Sequence, residues 1–191
     1  LDRELIDQSL TKLRGLHNAE NLMAAIAVAR IHGYESNEIL DSILDYTPPS
    51  HRCELVWESN GVQFINDSKA TNLHAVASAL NSFKDEKIIL IAGGKNKGIP
   101  YSEIKKTVKR NVSSVVLFGE NKFQVEEEWK SETDCHLSND IDEAVELALK
   151  LVGNSGVVLF SPGTSSFDMF NGYEERGNAF KDSVMKYSPK K

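Results

Sequence analysis

Gly61-Val62-Gln63-Phe64-Ile65-Asn66-Asp67-Ser68-Lys69-Ala70-Thr71-Asn72 begins as an apolar run of strand type and ends where a helix opens. Val62, Phe64 and Ile65 supply the strand. Leu73, Val76, Ala77 and Leu80 then recur at i, i+3, i+4 and i+7, one stripe of 3.6-residue period behind a polar capping residue. In this layout Asp67, Lys69 and Thr71 leave the carboxyl end of a strand together, where an open α/β sheet places its ligands. The free N–H groups of the following helix give that spot a partial positive charge, and Lys69 adds a full one. An anion suits it. The same spacing also fits a plainer strand-to-helix turn whose Asp and Thr only cap the helix.

Upstream, Asn60-Gly61 separates this strand from the β-type run around Leu55-Val56-Trp57, a hairpin signal. Downstream the pattern alternates. Ile88-Ile89-Leu90-Ile91-Ala92, Val115-Val116-Leu117-Phe118 and Val157-Val158-Leu159-Phe160 read as buried strands, and Cys135-His136-Leu137 as a further short one. Helices are expected near 72–82, 101–110, 121–130 and 140–152, and a last one carries Phe180, Val184 and Tyr187. The helix of 140–152 has the clearest stripe, through Ile141, Ala144, Val145, Ala148, Leu149 and Val152, with Asp140 and Asp142 in its first turn. Apolar strands alternating with amphipathic helices imply an α/β fold, a Rossmann-like and mostly parallel sheet with helices on both faces. Right-handed crossovers then bring the loops after residues 65, 92, 118 and 160 to one edge.

The first fifty residues follow another pattern. Residues 1–13 have no clear period, and the opening, which is not a Met, reads as the middle of something longer. A helix follows Arg14-Gly15-Leu16-His17-Asn18, with Leu22, Ala25, Ile26 and Ala29 in its stripe and Gly33 at its stop; taken alone, Asn18 reads as its cap. A second helix is expected behind Ser36, carrying Ile39, Leu40, Ile43 and Leu44, and Pro48-Pro49 ends it. Pro48-Pro49-Ser50 is stiff and extended, so the boundary is placed there: residues 1–50, a small helical piece, and residues 51–191, the α/β domain.

Composition narrows the function. The chain has 191 residues, 40% hydrophobic and 26% charged, enough for a sizeable core. Its net charge of −6 argues against nucleic acid or an anionic membrane as the main partner, and no run approaches the length of a membrane span. Cys53 and Cys135 lack metal-type spacing and read as reduced thiols of a cytoplasmic protein.

The candidate chemistry lies on three of the converging loops. Gly93-Gly94-Lys95-Asn96-Lys97-Gly98 matches neither a dinucleotide fingerprint nor a P-loop, and no P-loop occurs anywhere in the chain. Its function is expected to be Lys97, with Lys95 as second choice, binding a carboxylate or phosphate beside Lys69; the alternative is a flexible basic turn. In Ser161-Pro162-Gly163-Thr164-Ser165-Ser166-Phe167 the serines add hydroxyl and backbone donors, or merely form a solvated turn. None of His17, His32, His51, His74 and His136 pairs by spacing with Ser or Cys, so no catalytic triad is expected. Many donors and few acids describe a receptor for a small dianion.

These strings resemble, in order, the motifs of the Mur ligase family. Asn66-Asp67-Ser68-Lys69-Ala70-Thr71-Asn72, Gly93-Gly94-x-x-Lys97-Gly98, Ser161-Pro162-x-x-x-Ser166-Phe167-Asp168-x-Phe170 and Tyr173-Glu174-x-Arg176-Gly177 carry the resemblance, and Gly15-x-His17-Asn18-x-x-Asn21 and His51-Arg52-x-Glu54 agree with it. It spans most of residues 14–181. The Ser-Lys-Ala-Thr-Asn and Ser-Phe-Asp-x-Phe strings are most similar to the member that adds D-glutamate. Cys53 stands where an aromatic is usual, and Gly163-Thr164 where Ala is more common.

The resemblance implies an enzyme of three domains. Residues 1–50 would be the tail of its central ATPase domain and residues 51–191 its C-terminal, amino-acid-binding domain. The implied reaction uses ATP and Mg2+ to convert the carboxylate of UDP-N-acetylmuramoyl-L-alanine to an acyl phosphate, which the amine of D-glutamate attacks, in peptidoglycan synthesis. Asn18, Asn21 and Arg52 would meet the adenine end of ATP, and Asp67 its ribose region. Lys69, Thr71, Lys97 and Ser166, with the backbone of Phe167 and Tyr173, would hold D-glutamate, Lys69 also acting as the catalytic cation. With no P-loop and no metal ligands assigned, the chain is expected to be inactive alone and to need the missing N-terminal and central domains. The competing expectation is a stand-alone doubly wound module that binds an acidic metabolite. A nicotinamide oxidoreductase is disfavoured by the glycine spacing.

Overall fold

The computed structural model describes residues 6–13 and 16–187, with Leu16 and His17 described by backbone alone. Residues 1–5 and Gly15 of the first motif lie outside the described residues. The chain divides into two compact units, Leu1–Pro49 and Ser50–Lys191.

In the first unit a single 3-10 turn, Gln8–Leu10, is capped by the Asp7 side chain, which accepts from the Ser9 N–H. Two helices follow, α1 (Leu16–Ile31) and α2 (Ser36–Asp45). Leu22 and Ile26 of the first pack with Ile39 and Ile43 of the second, joined by Ile6, Leu13 and Ala29. Three details differ from the sequence reading. Asn18 lies inside α1, so it does not cap it. Glu35, not Ser36, holds the cap position of α2, and its N–H donates to the Glu38 carboxylate at 3.0 Å. Ala25 and Leu44 are exposed. Gly33 does end α1, at φ 87°, with the Tyr34 N–H reaching back to the Ala29 carbonyl.

The second unit holds β1 (Glu54–Ser59), β2 (Val62–Asn66), β3 (Ile88–Gly93), β4 (Val112–Phe118), β5 (Asp134–Leu137) and β6 (Gly156–Phe160). They form one sheet in the order β1-β2-β6-β3-β4-β5. β1 runs antiparallel to β2, and the other pairings are parallel. Asn60 and Gly61 turn the hairpin at φ 50° and 81°, the two positive values that a two-residue turn of the right twist demands.

Alternation along the strands sorts the core onto two faces. Ile65, Leu90, Ala92, Val115, Leu117 and Leu159 point to one face, covered by α3 (Leu73–Ser82), α4 (Lys105–Asn111) and α5 (Lys122–Trp129). Phe64, Ile89, Ile91, Val116, Val158 and Phe160 point to the other, covered by α6 (Ile141–Val152) and α7 (Tyr173–Tyr187). The Phe160 ring stacks on Phe180 at 4.5 Å, which locks α7 to the central strand. The helix expected over 101–110 opens instead with a 3-10 turn, Tyr101–Ile104, whose two end residues are both buried. Tyr187 is exposed, so the stripe of α7 ends at Val184. Among the described residues no helix is long and apolar enough to cross a membrane. Cys53 and Cys135 are free thiols, both pushed up in pKa, chiefly by burial.

Candidate functional site

Five parallel strands end on the same edge of the sheet, so their following loops meet there. The β2–α3 loop is shaped by its polar residues. Asn66 is buried; its oxygen accepts from the Ser68 N–H at 3.1 Å. Its amide donates to His51 Nδ1 at 2.9 Å and to the Gly177 carbonyl at 3.2 Å. Burial lowers the pKa of His51, against the pull of Glu54. Asn72 caps α3, accepting from the Ala75 N–H at 2.9 Å. The plainer capping reading of Asp67 and Thr71 therefore fails. Thr71 stays half-buried, its hydroxyl uncommitted among the described residues.

The loops after β3 and β6 are stitched to each other. Gly93 N–H donates to the Pro162 carbonyl and Lys95 N–H to the Ser165 carbonyl, each at 3.0 Å. The Thr164 hydroxyl returns a bond to the Lys95 carbonyl at 2.8 Å. Asn121, from the loop after β4, accepts from the Gly94 N–H at 2.9 Å. The two lysines then part company. Lys95 is held by Glu120 at 2.6 Å, whereas Lys97 is exposed and pairs with no carboxylate among the described residues. Ser166 is buried, and its carbonyl accepts from the N–H groups of Met169 and Phe170. Phe167 stands out at 69% exposure.

The Lys69 ammonium sits 3.8 Å from the centroid of the Tyr173 ring. The Tyr173 phenol bonds to Glu174, which raises its pKa, and the Arg52 charge acts on it from nearby. Lys69 and Tyr173 thus form one contact pair. Lys97 and Ser166 are held on the stitched pair of loops beside it in the sheet order. Asn18 and Asn21 belong to the first unit, Asn21 exposed on α1.

One buried residue escaped the sequence reading. Arg176, on the first turns of α7, is fully buried and binds both the β2–α3 and β6–α7 loops. The hint was its place in the Tyr173-Glu174-x-Arg176-Gly177 string that carries the family resemblance, which says nothing of what a guanidinium would meet.

The scan against family models matches residues 51–163 to the "Mur ligase, glutamate ligase domain". This chain belongs to the Mur ligase family. It is 44% identical over 176 residues to the UDP-N-acetylmuramoylalanine--D-glutamate ligase of Bdellovibrio bacteriovorus, covering 92% of this chain and 38% of that protein. It is 39% identical over 183 residues to the enzyme of the same name from Aquifex aeolicus, covering 96% and 44%. The chain thus spans about two fifths of the length of these relatives. Among solved structures, MurF from Acinetobacter baumannii superposes with a TM-score of 0.67 at 16% identity, over 90% of this chain and 39% of that one. Folylpolyglutamate synthase from Mycobacterium tuberculosis gives 0.64 at 15%, over 94% and 42%. At such identities these two report on the fold, which they share. The comparisons give no support to a stand-alone binding module.

Asp67 is the strained member of this Mur ligase domain. Its carboxylate is buried, accepting from the Ser161 hydroxyl at 2.9 Å and the Cys53 N–H at 3.3 Å. Burial pushes its pKa from 3.8 up to about 6, more than these two bonds and the Arg52 charge pull it back. Between those values the folded protein holds a proton that the unfolded chain has released, so wild-type stability falls as pH rises through that window. Asp67→Asn lacks this titration. Its stability relative to wild type should rise by on the order of 2 kcal/mol from pH 4 to pH 8. Urea titrations of both proteins at several pH values measure this, and parallel curves would place the carboxyl near its ordinary pKa.

Proposed function

We propose that this domain is the acceptor-binding part of an ATP-dependent ligase that joins D-glutamate to UDP-N-acetylmuramoyl-L-alanine in peptidoglycan synthesis. The observation that carries the reading is the gathering of donors on one sheet edge of a Mur ligase domain: Lys69 on Tyr173, the buried Ser166, and Thr71 and Lys97, whose side chains pair with nothing among the described residues. The names of the relatives supply the substrate.

In this reading Lys69, Thr71, Lys97 and Ser166, with the Phe167 and Tyr173 backbone, hold the two carboxylates of D-glutamate. Their work is positioning. Fixing the amine at near-attack distance from an activated carbonyl is worth up to roughly 7–11 kcal/mol. Lys69 also steadies the negative charge that grows as the amine adds. Asn18, Asn21, Arg52 and Asp67 are assigned to the adenosine end of ATP. Magnesium has no donor set here: among the described residues no group of three His, Cys, Asp or Glu side chains is placed to hold a metal. The triphosphate cradle and the site of the UDP-sugar are assigned to the parts of the enzyme that the relatives have beyond this length. The enzyme is placed in the cytoplasm, where its nucleotide substrates are made.

Lys97 gives the direct test. In the full-length enzyme, Lys97→Ala should raise the KM for D-glutamate by roughly 10–100-fold, the worth of one charge-assisted contact of about 1.5–3 kcal/mol. The KM for ATP should stay within about twofold. Steady-state kinetics with the opposite split would move Lys97 to the nucleotide.

A further inference from the structure

Arg176 has no role in the chemistry described so far, and its surroundings are unusual for an arginine. It is 0% exposed and forms no ion pair among the described residues. Burial lowers its pKa to about 10, with only the Asp168 charge opposing from a distance. A buried guanidinium with no carboxylate beside it is costly unless its N–H groups are well used.

They are used on the site's own loops. Nε donates to the Ser68 hydroxyl at 3.1 Å, Nη2 to the Ser68 carbonyl at 2.9 Å and Nη1 to the Thr164 carbonyl at 3.0 Å. Ser68 precedes Lys69, and Thr164 is two residues before Ser166. The Ser68 hydroxyl in turn donates to the Tyr173 carbonyl at 2.8 Å, in a backbone segment assigned to the acceptor. The third loop is tied in at one remove, since the Thr164 hydroxyl donates to the Lys95 carbonyl at 2.8 Å. One rigid, planar fork therefore binds the loops of Lys69 and Ser166 directly and reaches the Lys97 loop through Thr164.

We infer that Arg176 is the positioning residue that sets the spacing between the carboxylate sites of the acceptor. This rests on the D-glutamate reading above. A planar fork on a fixed helix holds the Ser68 and Thr164 carbonyls at one separation. A lysine there would keep the charge but, with a single ammonium, could not bridge both carbonyls and the hydroxyl in the same geometry. The consequence is specific: loosening the fork blurs the distance between carboxylate sites while leaving the nucleotide contacts of Arg52 in place.

The test uses the full-length enzyme and two variants, Arg176→Lys and Ser68→Ala. Arg176→Lys should raise the KM for D-glutamate on the order of 10–100-fold, the scale of a misplacement of about 1 Å. It should leave the KM for ATP within about twofold and reduce the preference for D-glutamate over D-aspartate. Ser68→Ala, which breaks the Nε bond and the link to Tyr173, should shift both quantities the same way by less. KM values for ATP and D-glutamate rising together, or an unchanged acceptor preference, would overturn the inference. If Arg176→Lys does not fold, Ser68→Ala decides by the same two readouts. A wild-type enzyme that ligates no D-glutamate overturns the functional reading itself, whereas an active wild type with indifferent variants overturns only the role of Arg176.

Discussion

The full-length enzyme that carries this domain should prefer D-glutamate to D-aspartate by at least roughly 100-fold in kcat/KM, or about 2.7 kcal/mol. The two amino acids differ by one methylene between their carboxylates, and a lost methylene contact alone is worth only about 1–3 kcal/mol. Pairing adds to that contact. The proposed donors stand on three loops, and each loop leaves a buried strand: β2 for Lys69 and Thr71, β3 for Lys97 and β6 for Ser166. Backbone bonds between Gly93 and Pro162 and between Lys95 and Ser165 hold two of these loops in register. The sheet therefore fixes the donor spacing. D-aspartate reaches one carboxylate site or the other, and a carboxylate left poorly paired in a partly desolvated site is penalised beyond the missing contact. Ser166→Ala should lower the discrimination and leave the KM for ATP unchanged. Acceptor titrations on both proteins settle it, and equal use of the two amino acids by wild type would show that the loops do not measure carboxylate spacing.

Much of this arrangement was legible in the sequence because it depends on short-range pattern. The period of Leu73, Val76 and Leu80 and the continuous run Ile88–Ala92 declare a helix and a buried strand without reference to the rest of the chain, and both are buried as expected. The shared loop edge then followed from the handedness of crossovers. What was not legible depends on distant partners. Arg176 meets Ser68 from 108 residues away, and no local signal says that a guanidinium on α7 will be buried. The cap of α3 fell to Asn72 rather than Thr71 because both are polar and adjacent, and only the backbone at the end of the loop selects between them. Ala25 and Leu44 belonged to good stripes yet are exposed, since a stripe shows which residues share a face and not which of them reach a neighbour. Lys97 was expected ahead of Lys95 as the anion-binding lysine; in the structure Lys95 is engaged by Glu120, whereas Lys97 is exposed.

The three glycines around Lys97 should differ widely when each is changed to alanine, although the sequence makes them look alike. Gly98 has φ 63°, and an added Cβ would meet nothing within 4 Å. Gly98→Ala therefore carries only the strain of an L residue in the left-handed region, about 1–2 kcal/mol. Gly94 has φ 143°, and its Cβ would fall 2.7 Å from the Ser165 carbonyl oxygen, forcing the two stitched loops apart. Gly93 is the extreme case. It ends β3 at φ 120°, outside the small positive region that L residues can enter, and its Cβ would lie 2.1 Å from the Phe118 carbonyl oxygen of the neighbouring strand. A carbon and an oxygen do not normally approach closer than about 3.3 Å. The obstacle is the backbone of the adjacent strand, so no side chain can swing away to relieve it. Gly93→Ala should cost on the order of 3–5 kcal/mol, a large part of the roughly 5–15 kcal/mol that holds a domain of ordinary stability. Gly94→Ala should fall between the two and, because it shifts the loop that carries Lys97, should also raise the KM for D-glutamate in the full-length enzyme. Denaturant midpoints for the three variants at constant m-value measure the order. If Gly93→Ala matched Gly98→Ala within about 0.5 kcal/mol, the close approach of β3 to β4 at this edge would be wrong, and with it the geometry from which the Lys97 loop departs.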